Sequence, residues 1–266
     1  MLSTYIMSDI HGCYDAFLSM LSAVRFSGSD MLIAAGDYID RGKQSYEMLQ
    51  WIAQCPPNVR LLRGNHEEEF AAYVDLMLLL DRREHLETDF SSNADATALY
   101  ESTQYFIKHG KMAASCFDLY GTIGALLQQN HVTLYDLCRW SAIIRQMPYY
   151  MKLTVGGRMY IVVHAGYTET LSDIGGRFDC LERFYLYARE ESCQFGGERH
   201  GTIIAGHTPT IIEKEFAYNR GNVFRFYNAA KDSVYYDIDC GCVFRGRYAE
   251  AKLACIRLED EKIFYV

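Results

Sequence analysis

Asp9-Ile10-His11-Gly12, Gly36-Asp37-Tyr38-Ile39-Asp40-Arg41-Gly42 and Gly64-Asn65-His66-Glu67 follow one another at intervals of under thirty residues, each behind a short apolar run. The runs, Thr4 to Met7, Met31 to Ala35 and Val59 to Leu62, read as buried strands. Between them, Tyr14 to Val24 places Phe17, Leu18, Leu21 and Val24 at helical spacing, and Ser45 to Ala53 forms a second helix halted by Pro56-Pro57. After the third block a helix begins near Glu67, with Phe70, Tyr73, Val74, Met77 and Leu78 on one face. This βαβαβα order predicts a parallel sheet with right-handed crossovers. Open α/β sheets present functional groups at strand C-termini, so the three blocks should meet along one edge.

Outward from this core the character changes. Residues 81–147 carry no comparable block and read as several helices, one capped by Thr133 ahead of Leu134, Leu137 and Ile144. This helical insertion has two readings: a cover beside the edge, or a helical layer packed on the sheet. From Tyr149 the pattern returns to strands. Gly156-Gly157 reads as a hairpin turn between Leu153-Thr154-Val155 and Met159 to Val163. Further strands are expected at Thr202 to Ala205, Val223 to Tyr227, Val234 to Ile238, Lys252 to Leu258 and Lys262 to Val266, the last two joined by Glu259-Asp260-Glu261. Two β-rich halves with helices outside imply a layered α/β sandwich, one domain over 1–266, without linker, repeat or low-complexity segment.

The 266 residues can bury a sizeable core, and 50% hydrophobic with 23% charged residues is ordinary globular composition. A net charge of −8 argues against nucleic-acid partners, which need clustered Lys and Arg. Phosphorylated substrates remain compatible, because a metal site supplies its own positive charge. The most apolar window, Phe70 to Leu80, is broken by Asp75 and too short to span a bilayer. Met1-Leu2-Ser3-Thr4-Tyr5 has no export signature, so a cytoplasmic protein with nine reduced cysteines is expected. Cys240-Gly241-Cys242 lacks the second pair a zinc site would want and reads as small packing residues.

The chemistry lies in the blocks, joined by His164 in Val-Val-His-Ala-Gly and His207 in Ala-Gly-His-Thr-Pro. Asp9, His11 and Asp37 can bind one metal; Asp37, Asn65, His164 and His207 can bind a second, with the Asp37 carboxylate as bridge. Mixed nitrogen and oxygen ligands suit Mn, Fe or Zn better than Ca or Mg, with Mn the first choice. Two such ions polarise a phosphoryl oxygen and lower the pKa of a shared water, giving a hydroxide placed for in-line attack. His66, directly after Asn65, is the candidate general acid, and Asp40 the carboxylate that orients it. Arg41 offers a planar donor fork to phosphoryl oxygens, and Arg189 a second clamp. The bland reading of Arg41 is an ion pair with Asp40 or Glu67. Glu67-Glu68-Glu69 reads as a helix first turn complementing the dipole. His85, His109, His131 and His200 are read as structural, and Cys13 as a small packing residue.

With these residues in view, the chain resembles the phosphoprotein phosphatase group of metallophosphoesterases, particularly its bacterial and phage members. The resemblance runs from Thr4 to about Cys242, the insertion excepted. The family pattern Gly-Asp-x-His-Gly, Gly-Asp-x-x-Asp-Arg-Gly, Gly-Asn-His-Glu, a His-Gly-Gly-like block and Gly-His-Thr is matched at nearly every position. It implies an α/β/β/α sandwich, two divalent metals, and the same ligand, bridge, acid and phosphate-binding roles on the residues just named. It also places the second phosphate-binding Arg on Arg189. Departures are Ser8 for the first Gly, Ala165 for the middle Gly, and Tyr187 where relatives often have Trp. The leading expectation is a phosphomonoesterase acting on phosphoproteins, at Ser/Thr and also Tyr. The alternative is hydrolysis of a dinucleoside polyphosphate, as related members perform; the intact Asp40-Arg41 pair leans toward the phosphatase. A catalytically dead scaffold would have broken ligand positions, and here every position is filled.

Overall fold

Side chains in the first strand alternate between two different cores. Tyr5 and Met7 of β1 (Thr4–Met7) pack against helices, whereas Ile6 between them enters a second apolar layer. Leu32 and Ala34 of β2 (Met31–Ala34) repeat the division around Ile33. The period of two in a strand buried on both faces forces this arrangement. The layer holding Ile6 and Ile33 also holds Tyr160, Val162, Ile204 and Tyr236 from the later strands, so it is the interface between two sheets.

The computed structural model describes residues 2–113, 116–174, 176–189, 191–194, 200–212 and 219–266. After β1 come α1 (Tyr14–Ala23), β2, α2 (Ser45–Ala53), β3 (Val59–Leu61) and α3 (Asn65–Glu84). Then follow α4 (Asn93–Lys108), α5 (Thr122–Asn130), α6 (Leu134–Gln146), β4 (Tyr150–Val155), β5 (Arg158–Val163), α7 (Leu181–Tyr187) and α8 (Glu191–Gln194). The chain closes with β6 (Thr202–Ala205), β7 (Phe224–Asn228), β8 (Ser233–Asp237), β9 (Ala254–Arg257) and β10 (Lys262–Tyr265). Sheet one runs β10-β9-β1-β2-β3 and sheet two β4-β5-β6-β8-β7. As expected, β1, β2 and β3 are parallel, with Thr4 opposite Met31 and Leu32 opposite Val59. β5, β6 and β8 are also parallel. The β4–β5 and β9–β10 pairs are antiparallel.

Ile161, Val163, Ile203 and Tyr235 leave the outer face of sheet two toward Phe184 and Ile174, while α1 to α6 cover sheet one. The stack is the expected α/β/β/α sandwich. The 81–147 segment carries α4, α5 and α6. α6 packs on α3 and α2, and α4 on α3 and α5, with Leu99, Leu127, Leu137 and Trp140 buried in the same core as sheet one. The loop ahead of α5 instead reaches the sheet edge. α3 runs on to Glu84, past the expected start of the insertion. Thr133 caps α6 as expected, its hydroxyl accepting from the Asp136 amide at 3.3 Å. His85 and His131 close α3 and α5 in left-handed conformations, His109 caps α4, and His200 pairs with Asp232 at the surface. All nine cysteines are free, and Cys240 and Cys242 are buried packing residues. No helix among the described residues is long and apolar enough to cross a membrane.

Candidate dinuclear metal centre

The loops leaving β1, β2, β3, β5 and β6 converge on one edge, and their backbones are strained there. Asp9, His11, Asp37, Asp40, Arg41 and His207 all adopt positive φ, between 45° and 71°. That region disfavours residues with a Cβ, and its use is concentrated where side chains must be aimed from tight turns. Two glycines make the close approach possible. A Cβ on Gly64 would collide with Asp37 Oδ1, and one on Gly206 with Asp9 Oδ2 and Ser8 Oγ. The loops also hold each other: the Asp9 amide donates to Gly36 O at 3.1 Å, and the His11 amide to Asp37 O at 2.9 Å.

Glu67 fastens the second loop to the third. It is fully buried, and its carboxylate accepts from the amides of Asp37 and Tyr38, both at 2.8 Å, and of Gly64 at 3.1 Å. This exceeds the dipole role expected of a helix first turn. α3 accordingly starts at Asn65 rather than near Glu67, because Glu67 at its third position caps Gly64.

Asp37 lies at the centre with its two oxygens turned to opposite sides. Oδ2 is 3.4 Å from His11 Nε2, and Oδ1 is 3.4 Å from His164 Nε2. His11 Nδ1 is engaged by Ile39 O at 3.0 Å and His164 Nδ1 by Ala35 O at 2.9 Å, which points both Nε2 atoms inward. Such backbone anchors are the usual support of a metal-binding imidazole. His164 Nε2 is also 3.0 Å from Asn65 Oδ1 and 3.2 Å from His207 Nδ1. Asp9 sits 3.9 Å from His11 Nε2, and its carboxylate accepts the His207 amide at 3.0 and 3.1 Å. Two tight donor groups result: His11, Asp37 and His66, and Asp37, His164 and His207. The first holds His66 where Asp9 was expected, its Nε2 3.7 Å from Asp37 Oδ2.

The electrostatics suit cation binding. Burial pushes His11 down to about 3 and holds His207 well below the ordinary histidine range, so both imidazoles are neutral and available as ligands. Burial disfavours the Asp37 anion, but His164, His66, His11 and His207 outweigh it and keep the carboxyl well below its usual value. Burial lifts Asp9 to about 6. Asp239, buried behind the edge, is raised well above its ordinary value by burial and then by Asp9. Several buried carboxylates face one another in this cavity. Its oxygen and imidazole donors fit divalent ions.

His66 Nδ1 is 2.6 Å from Asp40 Oδ2. Burial alone would lower this imidazole; the charge of Asp37 and the bond to Asp40 override it and raise it to about 9. Arg41 makes neither of the ion pairs considered for it. Its guanidinium lies 3.2 Å from His11 Nε2 and 5.3 Å from the centre of the Tyr120 ring. Arg189 reaches the same place from behind α7: Arg41, Arg189 and His207 line one cleft of about 580 Å³. Glu190 lies outside the described residues. Tyr187, at the position of the family Trp, sets its ring edge-on to His207 at 6.3 Å and donates its hydroxyl to Glu69.

Two residues in the cleft escaped the sequence reading. Tyr120 carries Arg41 and lies 5.1 Å from the His66 ring. Arg247 joins the arginines at the cleft wall. Both sit in loops whose local pattern is unremarkable, so only their position betrays them.

Comparison with known proteins gives the same picture. Part of the chain is 40% identical, over 67 residues, to the symmetrical bis(5'-nucleosyl)-tetraphosphatase of Cronobacter sakazakii; the match covers 25% of this chain and 24% of that protein. The chain thus matches about a quarter of the length of this curated relative. A solved structure assigned as a diadenosine tetraphosphatase superposes with a TM-score of 0.54 at 18% identity, covering 99% of this chain and 92% of that one. A serine/threonine phosphatase from Saccharomyces cerevisiae gives 0.52 at 13%, covering 100% and 79%. At such identities the likeness is one of fold. The calcineurin-like phosphoesterase family pattern matches residues 2–210, which takes in every loop of the metal edge, and the chain belongs to that family.

Proposed function

We propose that this phosphoric ester hydrolase is a phosphomonoesterase acting on phosphoproteins, at serine and threonine and also at tyrosine. The observation that carries the reading is the Asp40–His66 pair at 2.6 Å beside Arg41. It is a proton donor held where an alkoxide leaving group needs one. Asp9, His11 and Asp37 would hold one divalent ion, and Asp37, Asn65, His164 and His207 the other, with Mn the first candidate. When bound, the ions would supply positive charge to the phosphoryl oxygens and lower the pKa of water.

The chain's own residues do the rest. Arg41 and Arg189 orient the phosphoryl group through paired N–H donors. The oxygen of a water that gives up a proton to solvent bonds to phosphorus as the ester P–O bond breaks; the leaving oxygen takes the proton from His66 Nε2, and the imidazole regains one from solvent. Asp40 accepts from Nδ1, which fixes the ring and favours its protonated form. A second reading is supported by the local identity with a bis(5'-nucleosyl)-tetraphosphatase: cleavage of a dinucleoside polyphosphate by the same groups. Initial rates with Mn²⁺ on a phosphoserine peptide and on diadenosine tetraphosphate, with His66→Asn as control, separate the two. Fast peptide turnover that collapses in the mutant supports the phosphatase; preference for the dinucleotide supports the second reading.

A further inference from the structure

Beyond Arg41 and Tyr120 lies a second cavity, of about 340 Å³, between the start of α2 and one face of α5. Arg41 and Tyr120 line both this pocket and the metal cleft, so the stacked pair is their common wall. The far wall is one helical stripe: Thr122, Ala125, Leu126 and Gln129 recur at the three- and four-residue spacing of a single α-helix face. Tyr46 of α2 closes the side, its ring held edge-on to Trp140 at 6.2 Å. Asn130 and Gln129 bring amide groups to the rim, and Lys43 a positive charge.

Its position decides which part of a substrate would enter. Arg41 is placed to hold the phosphoryl group, and His66, 5.1 Å from the Tyr120 ring, to protonate the departing oxygen. The group on that oxygen therefore leaves on the Tyr120 side. Two tyrosine rings with Leu126 and Ala125 offer flat apolar surface for stacking, and the amides offer donors and acceptors to a ring edge. A serine or threonine side chain would leave most of this volume unfilled.

Resting on the phosphoester-hydrolysis reading above, we propose that this pocket is the leaving-group subsite and that it takes a planar aromatic group. The phenol ring of phosphotyrosine sits on the departing oxygen itself, whereas the base of a nucleotide offers the same ring chemistry further out along a leaving nucleoside phosphate. The pocket makes the chain select substrates whose leaving group carries an aromatic ring over phosphoserine.

The test compares kcat/KM in Mn²⁺ for a phosphotyrosine peptide, diadenosine tetraphosphate and a phosphoserine peptide of matched sequence. It is run on the wild-type chain and on Ala125→Trp, which fills the pocket from the half-buried face of α5. The wild type should prefer one of the aromatic substrates by at least about tenfold, and which one identifies the source. Ala125→Trp should shrink that preference by about tenfold or more, the scale on which a pocket discriminates shape. Should Ala125→Trp not fold, Tyr46→Leu removes a stacking surface without adding bulk and should narrow the same ratio. An unchanged ratio in a folded variant, or a wild type preferring phosphoserine, overturns the pocket alone. Absence of metal-dependent turnover of all three substrates overturns the reading beneath it, and the pocket with it.

Discussion

The metal edge and the helices α4 to α6 solve opposite problems. At the edge, Asp9, His11, Asp37, His66 and His164 are almost wholly buried, several on left-handed backbone, with glycines where loops touch. Little can move there without moving a donor atom. The helices are ordinary by contrast: α4 and α6 are capped by Ser92 and Thr133 and the layer is buried through Leu99, Leu127 and Leu137, while the loop ahead of α5 brings the exposed ring of Tyr120 to the edge. Chemistry is placed where the backbone has no slack. In the reading proposed above, selectivity falls to the pocket between α2 and α5, away from the strained loops.

The contrast can be broken most severely at Asp37. Asp37→Ala should lower Mn²⁺ affinity by more than about 100-fold, beyond the loss that accompanies removal of a mere supporting residue. Calorimetric titration with Mn²⁺ would show it, and retained affinity would remove Asp37 as the bridge. His66→Asn should lower kcat on a phosphoserine peptide by about 10²–10⁴-fold. With 4-nitrophenyl phosphate, whose leaving group needs no proton, the loss should be much smaller; equal losses would argue for a ligand role, as its place in the first donor group allows. Gly64→Ala should cost about 3 kcal/mol by overpacking, seen in denaturant melts, and weaken metal binding with it.

The helical side should respond quite differently. Thr133→Ala removes the α6 cap and should cost about 1 kcal/mol in the same melts, with Mn²⁺ affinity unchanged. A shift in affinity there would show the two regions to be coupled. Tyr120→Ala should have the smallest effect on phosphoserine turnover, raising KM by about threefold through the lost cation–π contact with Arg41. A fall in kcat of the size given by His66→Asn would move Tyr120 from the selectivity side to the chemical side.

Much of the fold is legible in the sequence. α2 has the expected bounds, Ser45–Ala53, because Pro56-Pro57 stop it and its apolar spacing is unambiguous. β1 and β6 also match to the residue. Other strand ends shift by one to three positions, the most at β4, which starts at Tyr150 rather than Leu153, since pairing partners rather than local sequence decide where a ladder stops. The reading of Glu67 fell short for the same reason. Its partners, the amides of Asp37 and Tyr38, lie 30 and 29 residues away, and no local pattern announces them. Arg41 was weighed against pairing with Asp40 or Glu67, yet its neighbour is an aromatic ring 79 residues on.

The candidate donors and the period of each element are legible in short stretches of sequence. Strand alternation, helix spacing and the chemistry of Asp, His and Asn are properties of short stretches. Tertiary structure alone decided which donors face each other. His164 comes within 3.0 Å of Asn65 across 99 residues, and the His207 amide binds Asp9 across 198. It also decided that His66 joins His11 and Asp37 in one donor group, and that Tyr120 lines both cavities. These depend on how two sheets and a helical layer pack through space, and packing is a property of the assembled surfaces rather than of any one segment.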